Sequence, residues 1–271
     1  MVTLIEALLE KRELQGIHRP FAERIIQKII ANTTIEQDFT AEPERYMKKK
    51  IFQKIKKEVR AQIREVYGVF FEKKYSSKKD KYVQELIVNE NEETVQQLLQ
   101  IHRSTNERRE AYDYLYTLLF EKTGKPESIL DIGCGFNPFA YTYLSCTPSY
   151  HCMDLACADL RLITAYFTHK KVPHTITCAD LTTYDKPFVK TDIVFAFKVF
   201  DSLETIQKGI TKKIIQALQA NYLIASFPTK SIGKKKTIPR REWFLRLVNE
   251  HIIDTISLEN EEFYIITLKK E

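Results

Sequence analysis

Ser128-Ile-Leu-Asp-Ile-Gly-Cys-Gly-Phe-Asn-Pro138 is the stretch on which the reading of this chain turns. Ile129, Leu130 and Ile132 form a short apolar run of the kind that makes a buried strand, and Gly133 and Gly135 turn the backbone straight after it. Pro138 suits the first position of a following helix. A strand, a glycine turn and a helix in that order make a ligand-binding edge of an open α/β sheet. Dinucleotide sites carry Gly-x-Gly-x-x-Gly, the third glycine packing helix against strand. The pattern here runs Asp131-x-Gly133-x-Gly135-x-Asn137 and lacks that third glycine. Asp131, ahead of the turn, disfavours an anionic pyrophosphate. It suits a ligand bearing an ammonium and a sulfonium, which points to S-adenosyl-L-methionine.

Working outward, 271 residues with 44% hydrophobic content are enough for a core and for more than one domain. The net charge of +6 makes the chain basic without an extreme tail. Five cysteines (Cys134, Cys146, Cys152, Cys157, Cys178) crowd one central segment with no Cys-x-x-Cys, a pattern expected of buried reduced thiols. The nearby His151, His169 and His174 have no metal-ligand spacing, so no metal is expected. No early apolar run resembles a signal peptide and none is long enough to span a bilayer, which predicts a cytoplasmic protein without a membrane partner.

Residues 1–100 read as helical. Leu4 and Leu8, Ile5 and Leu9, then Phe21, Ile25 and Ile29 recur at i, i+4, and Pro20 starts a helix that Asn32-Thr33-Thr34 ends. A third helix is predicted from Tyr46 to about Tyr67, with Ile51, Ile55, Val59, Ile63 and Val66 on its apolar side. It is rich in cations: Lys48, Lys49, Lys50, Lys54, Lys56, Lys57, Arg60 and Arg64. Between Ala41 and Lys81, fourteen Lys or Arg stand against six Asp or Glu, an excess of eight, which is more than the whole chain's +6. The positive field is therefore concentrated here. Tyr67, Phe70, Phe71, Tyr75 and Tyr82, interleaved downstream, are candidates either to stack on bases or to pack in the bundle; with a separate ligand-binding domain following, the segment is expected to dock nucleic acid by neutralising phosphates. The polar stretch Asn89 to Glu93 reads as a linker.

Next comes Ile101-His102-Arg103-Ser104-Thr105-Asn106-Glu107-Arg108, in which Ser104 or Thr105 is placed to cap a helix. His-x-Ser-Thr-x-Glu-Arg ahead of the Ser128 to Pro138 turn closely resembles the aminoglycoside-resistance 16S rRNA (guanine-N7) methyltransferases. The likeness continues through Tyr150 to Asp154, Thr175 to Asp180 and Asp192 to Phe200, read as the second, third and fourth strands, and through Ile224 to Ser231, read as the block that follows the fifth. Ile252 to Leu258 and Phe263 to Leu268 close the chain as a hairpin about Glu259-Asn260-Glu261. One departure stands out. Relatives carry a glycine- and lysine-containing loop followed by Gly-Met and an acidic residue, whereas Ile232 to Arg241 is shorter, strongly basic and lacks the Gly-Met.

The resemblance implies an α/β fold: a Rossmann-like class I methyltransferase sheet over 101–271 with a C-terminal antiparallel hairpin, preceded by an N-terminal helical, basic RNA-docking bundle over 1–100. It implies S-adenosyl-L-methionine as cofactor, with Gly133 and Gly135 admitting its methionine part, Asp131 beneath the turn and Asp154 accepting from the ribose hydroxyls. Asp180 with Leu181 would hold the adenine edge, Arg108 the cofactor carboxylate, and Lys198 would face the transfer region. The RNA contacts expected are Lys48, Lys49, Lys50, Lys54, Lys57, Arg60, Arg64, Lys230, Lys234, Lys235, Lys236, Arg240 and Arg241. The implied reaction is transfer of a methyl group to N7 of a decoding-site guanine, position 1405 of 16S rRNA, by a monomer acting on the 30S subunit and conferring aminoglycoside resistance. Guanine N7 has a lone pair and no proton, so no general base is expected, and His102 is given no chemical role. Phe200, Phe227, Tyr184 and Trp243 are candidates to stack on a flipped base, with core packing the alternative for each. The other readings are a methyltransferase of a different RNA and a non-enzymatic RNA-binding protein that keeps the fold.

Overall fold

The computed structural model describes residues 4–9, 16–34, 43–66, 78–230 and 236–268. Helices α1 (Leu4–Leu8), α2 (Arg19–Ala31), α3 (Pro43–Tyr46) and α4 (Lys50–Val66) form an N-terminal unit. Pro20 sits in the first turn of α2, where its missing N–H costs nothing. Phe21, Ala22, Ile25, Ile26 and Ile29 of α2 face Phe52, Ile55, Val59 and Ile63 of α4, an i, i+3, i+4 stripe on each side. Phe52 lies in this stripe, whereas Ile51 is only partly covered.

Helices α5 (Lys79–Val88) and α6 (Glu92–Leu99) belong to the other core. Val83, Leu86, Val95, Leu98 and Leu99 pack with α8 (Tyr112–Thr123) and one face of the sheet. The two cores therefore divide ahead of Lys79. The stretch Asn89 to Glu93 is the tight turn between α5 and α6, with Asn91 accepting from the Thr94 N–H at 2.9 Å as N-cap, and so is not a linker. Between α6 and α8 lies α7 (Arg103–Arg108). Its N-cap is His102 without a side-chain bond, so the capping expected of Ser104 or Thr105 is corrected: Thr105 Oγ1 instead donates back to the carbonyls of Leu99 and His102.

Seven strands, β1 (Ser128–Ile132), β2 (Ser149–Asp154), β3 (His174–Cys178), β4 (Thr191–Phe197), β5 (Ala220–Pro228), β6 (Ile252–Ser257) and β7 (Glu261–Thr267), lie in the order β3-β2-β1-β4-β5-β7-β6. The first five are parallel and β7 runs antiparallel to both β5 and β6, which bears out the expected hairpin. Successive side chains alternate between two apolar layers. Ile129, Phe195, Ile224 and Phe263 point to the side covered by α5, α6, α8 and α9 (Cys157–His169). Leu130, Val194, Leu223 and Tyr264 point to the side of α10 (Phe200–Ile206), α11 (Ile210–Ala217) and α12 (Glu242–Val248). The helix expected at Pro138 is a 3₁₀ segment, Asn137–Tyr143. No helix of the described residues is long and apolar enough to cross a membrane.

Strand order reverses between β1 and β4, and an open α/β sheet places its ligand crevice at the carboxyl ends of the strands flanking such a point. The N-terminal unit docks at this same edge. His18 N–H donates to the Leu155 carbonyl at 2.7 Å, Ala158 N–H to the Gly16 carbonyl at 3.0 Å, and α4 packs against α10.

Candidate functional site

A cavity opens at that edge. Five of the residues singled out in the sequence line it: Gly133, Gly135, Asp154, Leu181 and Lys198. Gly133 and Gly135 have φ of 64° and 50°, the left-handed region that favours glycine. Protein neighbours add a second constraint. A Cβ on Gly133 would lie 2.5 Å from Val199 Cγ2, and one on Gly135 would lie 3.0 Å from the His102 ring. The turn stays tied to the sheet, because Gly133 N–H donates to the Met153 carbonyl at 2.8 Å.

Asp154 ends β2 at the rim of the cavity. Its Oδ2 accepts from Gly135 N–H at 2.9 Å and its Oδ1 from Ala156 N–H at 2.8 Å, so two backbone donors fix the plane of the carboxylate. A carboxylate has about four acceptor positions, which leaves two open for a ligand diol. Burial pushes this carboxyl above its ordinary pKa, and backbone bonds, those from Gly135 and Ala156 first, oppose that rise.

Asp131, Arg108 and Asp180 stand behind the walls. Asp131 Oδ2 accepts from Tyr150 Oη at 2.7 Å and Asn137 Nδ2 at 2.8 Å, joining β1 to β2 and to the 3₁₀ segment, while its buried Oδ1 has no partner. Burial lifts its pKa to about 7, against those two bonds. Arg108 is buried and donates from Nη1 to both oxygens of Glu261, at 2.8 and 3.0 Å, with its guanidinium 5.0 Å from the Phe197 ring centre. Asp180 is buried between the cavity-lining Ala179 and Leu181 and meets Arg24 and Thr182.

Lys198 lies at φ 56°, a strained conformation for a residue with a side chain. Its ammonium pairs with Glu107 and, at 3.0 Å, with Glu261. Arg108, Lys198, Glu107 and Glu261 are thus a charge-balanced cluster beside the cavity. Burial alone would raise the Glu261 pKa, but the Arg108 and Lys198 charges and the Ser226 hydroxyl hold it below its ordinary value. Glu261 had read as a turn residue. Antiparallel pairing of β7 with β5 sets it opposite Pro228 and carries it inside.

His102, given no chemical role by its sequence, lines the cavity beside Ser104. Its Nδ1 is 3.0 Å from Ser104 Oγ, and burial with the Arg108 and Lys198 charges holds its pKa down at about 3, so the ring is neutral. The motif contained it, but sequence does not separate a pocket histidine from a packed one. Leu155, Ala156, Val199 and Leu203 complete the apolar walls, with no signal beyond adjacency to a strand end.

The thiols need one correction. Cys157 and Cys178 are disulfide-bonded, with Cα atoms 5.2 Å apart, while Cys134, Cys146 and Cys152 are free. A separation of 21 residues conceals the pair in sequence; parallel register sets Asp154 beside Cys178, so the first residue of α9 falls back over the end of β3.

Among the expected RNA contacts, Lys48, Lys49, Lys50, Lys54 and Lys57 are exposed, and Arg60 and Arg64 are half-buried. Lys50, Lys54 and Lys57 follow at i, i+4, i+7 and share one face of α4. Lys236 is exposed, Lys230 pairs with Glu259 at 3.3 Å, Arg240 with Glu262 at 2.5 Å, and Arg241 bidentately with Asp201 at 2.9 and 2.6 Å. Lys234 and Lys235 lie outside the described residues, as do Tyr67, Phe70, Phe71 and Tyr75. Phe200 and Phe227 are core residues packed on Phe244, whereas Tyr184 and Trp243 are partly exposed.

Strand order, glycine turn, rim carboxylate and terminal hairpin together define the class: a Rossmann-like methyltransferase domain, here joined to an N-terminal helical unit. A model of the ribosomal RNA methyltransferase (FmrO) family matches residues 53–265, and the chain belongs to that family. It is 26% identical over 235 residues to the 16S rRNA (guanine(1405)-N(7))-methyltransferase of Proteus mirabilis, covering 79% of this chain and 84% of that one. Its fold matches the 16S rRNA methyltransferase RmtF, crystallised with S-adenosyl-L-homocysteine, at a TM-score of 0.81 and 19% identity over 97% of this chain and 96% of that one. It also matches the 16S rRNA methylase RmtB, at a TM-score of 0.76 and 21% identity over 98% and 99% of the two chains.

Proposed function

We propose that this rRNA methyltransferase binds S-adenosyl-L-methionine in the cavity beside Gly133 and methylates N7 of guanine 1405 of 16S rRNA in the 30S subunit, giving aminoglycoside resistance. The observation that carries the reading is Asp154, half-buried at the cavity rim with its carboxylate fixed by two backbone donors and two acceptor positions left for a ribose diol. The other lining groups fit the rest of that nucleoside. Ala179 and Leu181 offer an apolar slot for adenine, and Lys198, its charge already balanced by Glu107 and Glu261, lines the wall beside them. When bound, S-adenosyl-L-methionine supplies a methyl group activated on a sulfonium.

The protein's own share is positioning and exclusion of water. No side chain need remove a proton, because guanine N7 carries none. Neutral His102 and the charge-balanced cluster of Arg108, Lys198, Glu107 and Glu261 provide a fixed, dry wall. The exposed face of Lys50, Lys54 and Lys57 is assigned to phosphate contacts, and the site works within one chain. Arg240 and Arg241 are anchored to carboxylates, so their part is to shape the loop beside the site. A disulfide is unusual in a reducing compartment, so assignment to the cytoplasm rests on the ribosomal substrate rather than on thiol chemistry.

The test is transfer of labelled methyl to purified 30S particles, followed by mapping of the modified base. Label at N7 of guanine 1405 is expected; label only in another RNA overturns the target, and no transfer to any RNA favours a binding protein. Asp154→Ala is expected to abolish calorimetric binding of S-adenosyl-L-homocysteine while leaving 30S affinity nearly unchanged.

A further inference from the structure

Two of the segments that line the cavity, the one after Asp154 and the one around Asp180, are tied to the N-terminal unit. On one side, His18 and Gly16 bond through their backbones to Leu155, in the loop after Asp154, and to Ala158, in the first turn of α9. The approach is so close that a Cβ on Gly16 would lie 2.3 Å from Ala158 Cβ, so the contact is built into the sequence of both partners. On the other side Arg24, on the same helix as Phe21 and Ile25, reaches across to Asp180. Its Nη2 meets Asp180 Oδ2 and donates to Thr182 Oγ1 at 2.7 Å.

The geometry at Asp180 is specific. Its Oδ1 accepts from Thr182 N–H at 2.9 Å and from Thr182 Oγ1 at 2.6 Å, and its Oδ2 accepts from Arg24. Of about four acceptor positions on a carboxylate, three are filled by protein and one remains. The side chain of Asp180 is 2% exposed, that of Arg24 37%. Arg24 is thus the cation that balances this buried carboxylate and, with Thr182, fixes its plane. The residues on either side of Asp180, Ala179 and Leu181, line the cavity.

We propose that Arg24 is a positioning residue of the cofactor site: it orients Asp180 so that the remaining acceptor position is presented to the exocyclic amine of adenine. The N-terminal unit is then part of the cofactor site as well as an RNA-docking surface. This rests on the reading of the cavity as an S-adenosyl-L-methionine site.

The experiment is calorimetry on the full chain with two probes, S-adenosyl-L-homocysteine and S-inosyl-L-homocysteine, in which a ring carbonyl replaces the exocyclic amine. The wild-type protein is expected to prefer the adenosyl compound. In Arg24→Ala the adenosyl Kd is expected to weaken about tenfold and the inosyl Kd little, so the preference collapses toward one. Arg24→Lys, which keeps a cation within reach of Asp180, is expected to recover most of the preference. A merely structural role would weaken both probes in parallel, and that outcome overturns the proposal, as does an unchanged preference in Arg24→Ala. Should the alanine variant not fold, Thr182→Val is expected to reduce the same ratio, and an unreduced ratio there counts equally against it. Wild-type protein that binds neither probe refutes the cofactor reading itself, whereas wild-type binding with no change on substitution refutes only the role of Arg24.

Discussion

Glu261→Gln is the substitution that most directly probes the buried charge cluster. The Glu261 carboxylate receives Arg108 Nη1 at both oxygens, the Ser226 hydroxyl at 2.5 Å and the Lys198 ammonium at 3.0 Å, and it is 1% exposed. Glutamine keeps the volume but turns one acceptor oxygen into a donor that faces other donors. The cluster also moves from balanced to one net positive charge. Removing one partner of a buried pair costs roughly 3–5 kcal/mol, because the remaining charge is left uncompensated. That is a large part of the roughly 5–15 kcal/mol that holds a typical domain folded. At about 2–4 °C per kcal/mol for a chain of this size, melting is expected to fall by roughly 6–20 °C. Urea and thermal unfolding followed by circular dichroism measure the loss. Pairing the change with Arg108→Met removes the stranded cation and is expected to restore much of the stability, since Lys198 and Glu107 remain balanced. A single variant that loses less than about 1 kcal/mol, on the scale of an exposed ion pair, refutes the reasoning. So does a double variant less stable than the single.

Three further outcomes are expected. His102 has a folded pKa of about 3 against an ordinary 6.5, so its contribution to stability is whole above pH 6.5 and is lost as pH falls toward 3, whereas Asp131, raised from 3.8 to about 7, contributes fully below pH 3.8 and loses its contribution as pH rises through 7. The two offset across the shared window, and Asp131→Asn is expected to unmask an acid loss of up to about 1.4 kcal/mol per pH unit below 6.5, read from urea midpoints; a flat profile in that variant contradicts the buried neutral histidine. Thiol titration of denatured, unreduced protein is expected to find three reactive groups, rising to five on reduction, and five from the outset would show that Cys157 and Cys178 do not pair. Replacing Lys50, Lys54 and Lys57 by Gln is expected to lower 30S affinity and to flatten its logarithmic salt dependence by about one unit per lysine in phosphate contact, an effect absent if that face is merely solvated.

The parts of the fold that were legible in sequence are those where one physical constraint acts locally. Ile129, Leu130 and Ile132 ahead of Gly133 mark a strand and turn because an apolar run and a glycine turn are written into adjacent residues, and the strands of the terminal hairpin are likewise marked by local apolar patterning. The i, i+4 stripes of α2 and α4 were equally plain. What escaped depends on residues brought together from afar. Glu261 sits in a polar turn sequence, and only its register against β5 turns it into the counter-ion of Arg108. Helices α5 and α6 carry an apolar face like any bundle helix, and nothing local says that the face covers the sheet instead of α4. Arg24 reads as a surface arginine, because the carboxylate it serves lies 156 residues away. The disulfide was hidden by the same circumstance, a register between neighbouring strands that no spacing rule encodes.

The opposition of Gly133 to Lys198 explains why the motif turn and the strained lysine belong together. Val199 fills the space above Gly133 so fully that a Cβ there would lie within 2.9 Å of both Val199 Cβ and Cγ2. Val199 reaches that place because the chain turns at Lys198 through a left-handed φ, with the Lys198 N–H donating back to Ser226. Such a conformation costs a non-glycine residue about 1–3 kcal/mol and persists only where its surroundings over-determine it. Here they do: the backbone is bonded to β5, and the ammonium is held by Glu107 from α7 and Glu261 from β7. Glycine at 198 would relieve the strain but delete the only cation that lines the cavity among the described residues. The cleft between β1 and β4 is therefore shaped from both sides at once, by a residue that must lack a side chain and by one that must keep its own, and it is this interlock that holds the floor of the cavity at fixed width for a ligand arriving at the switch point.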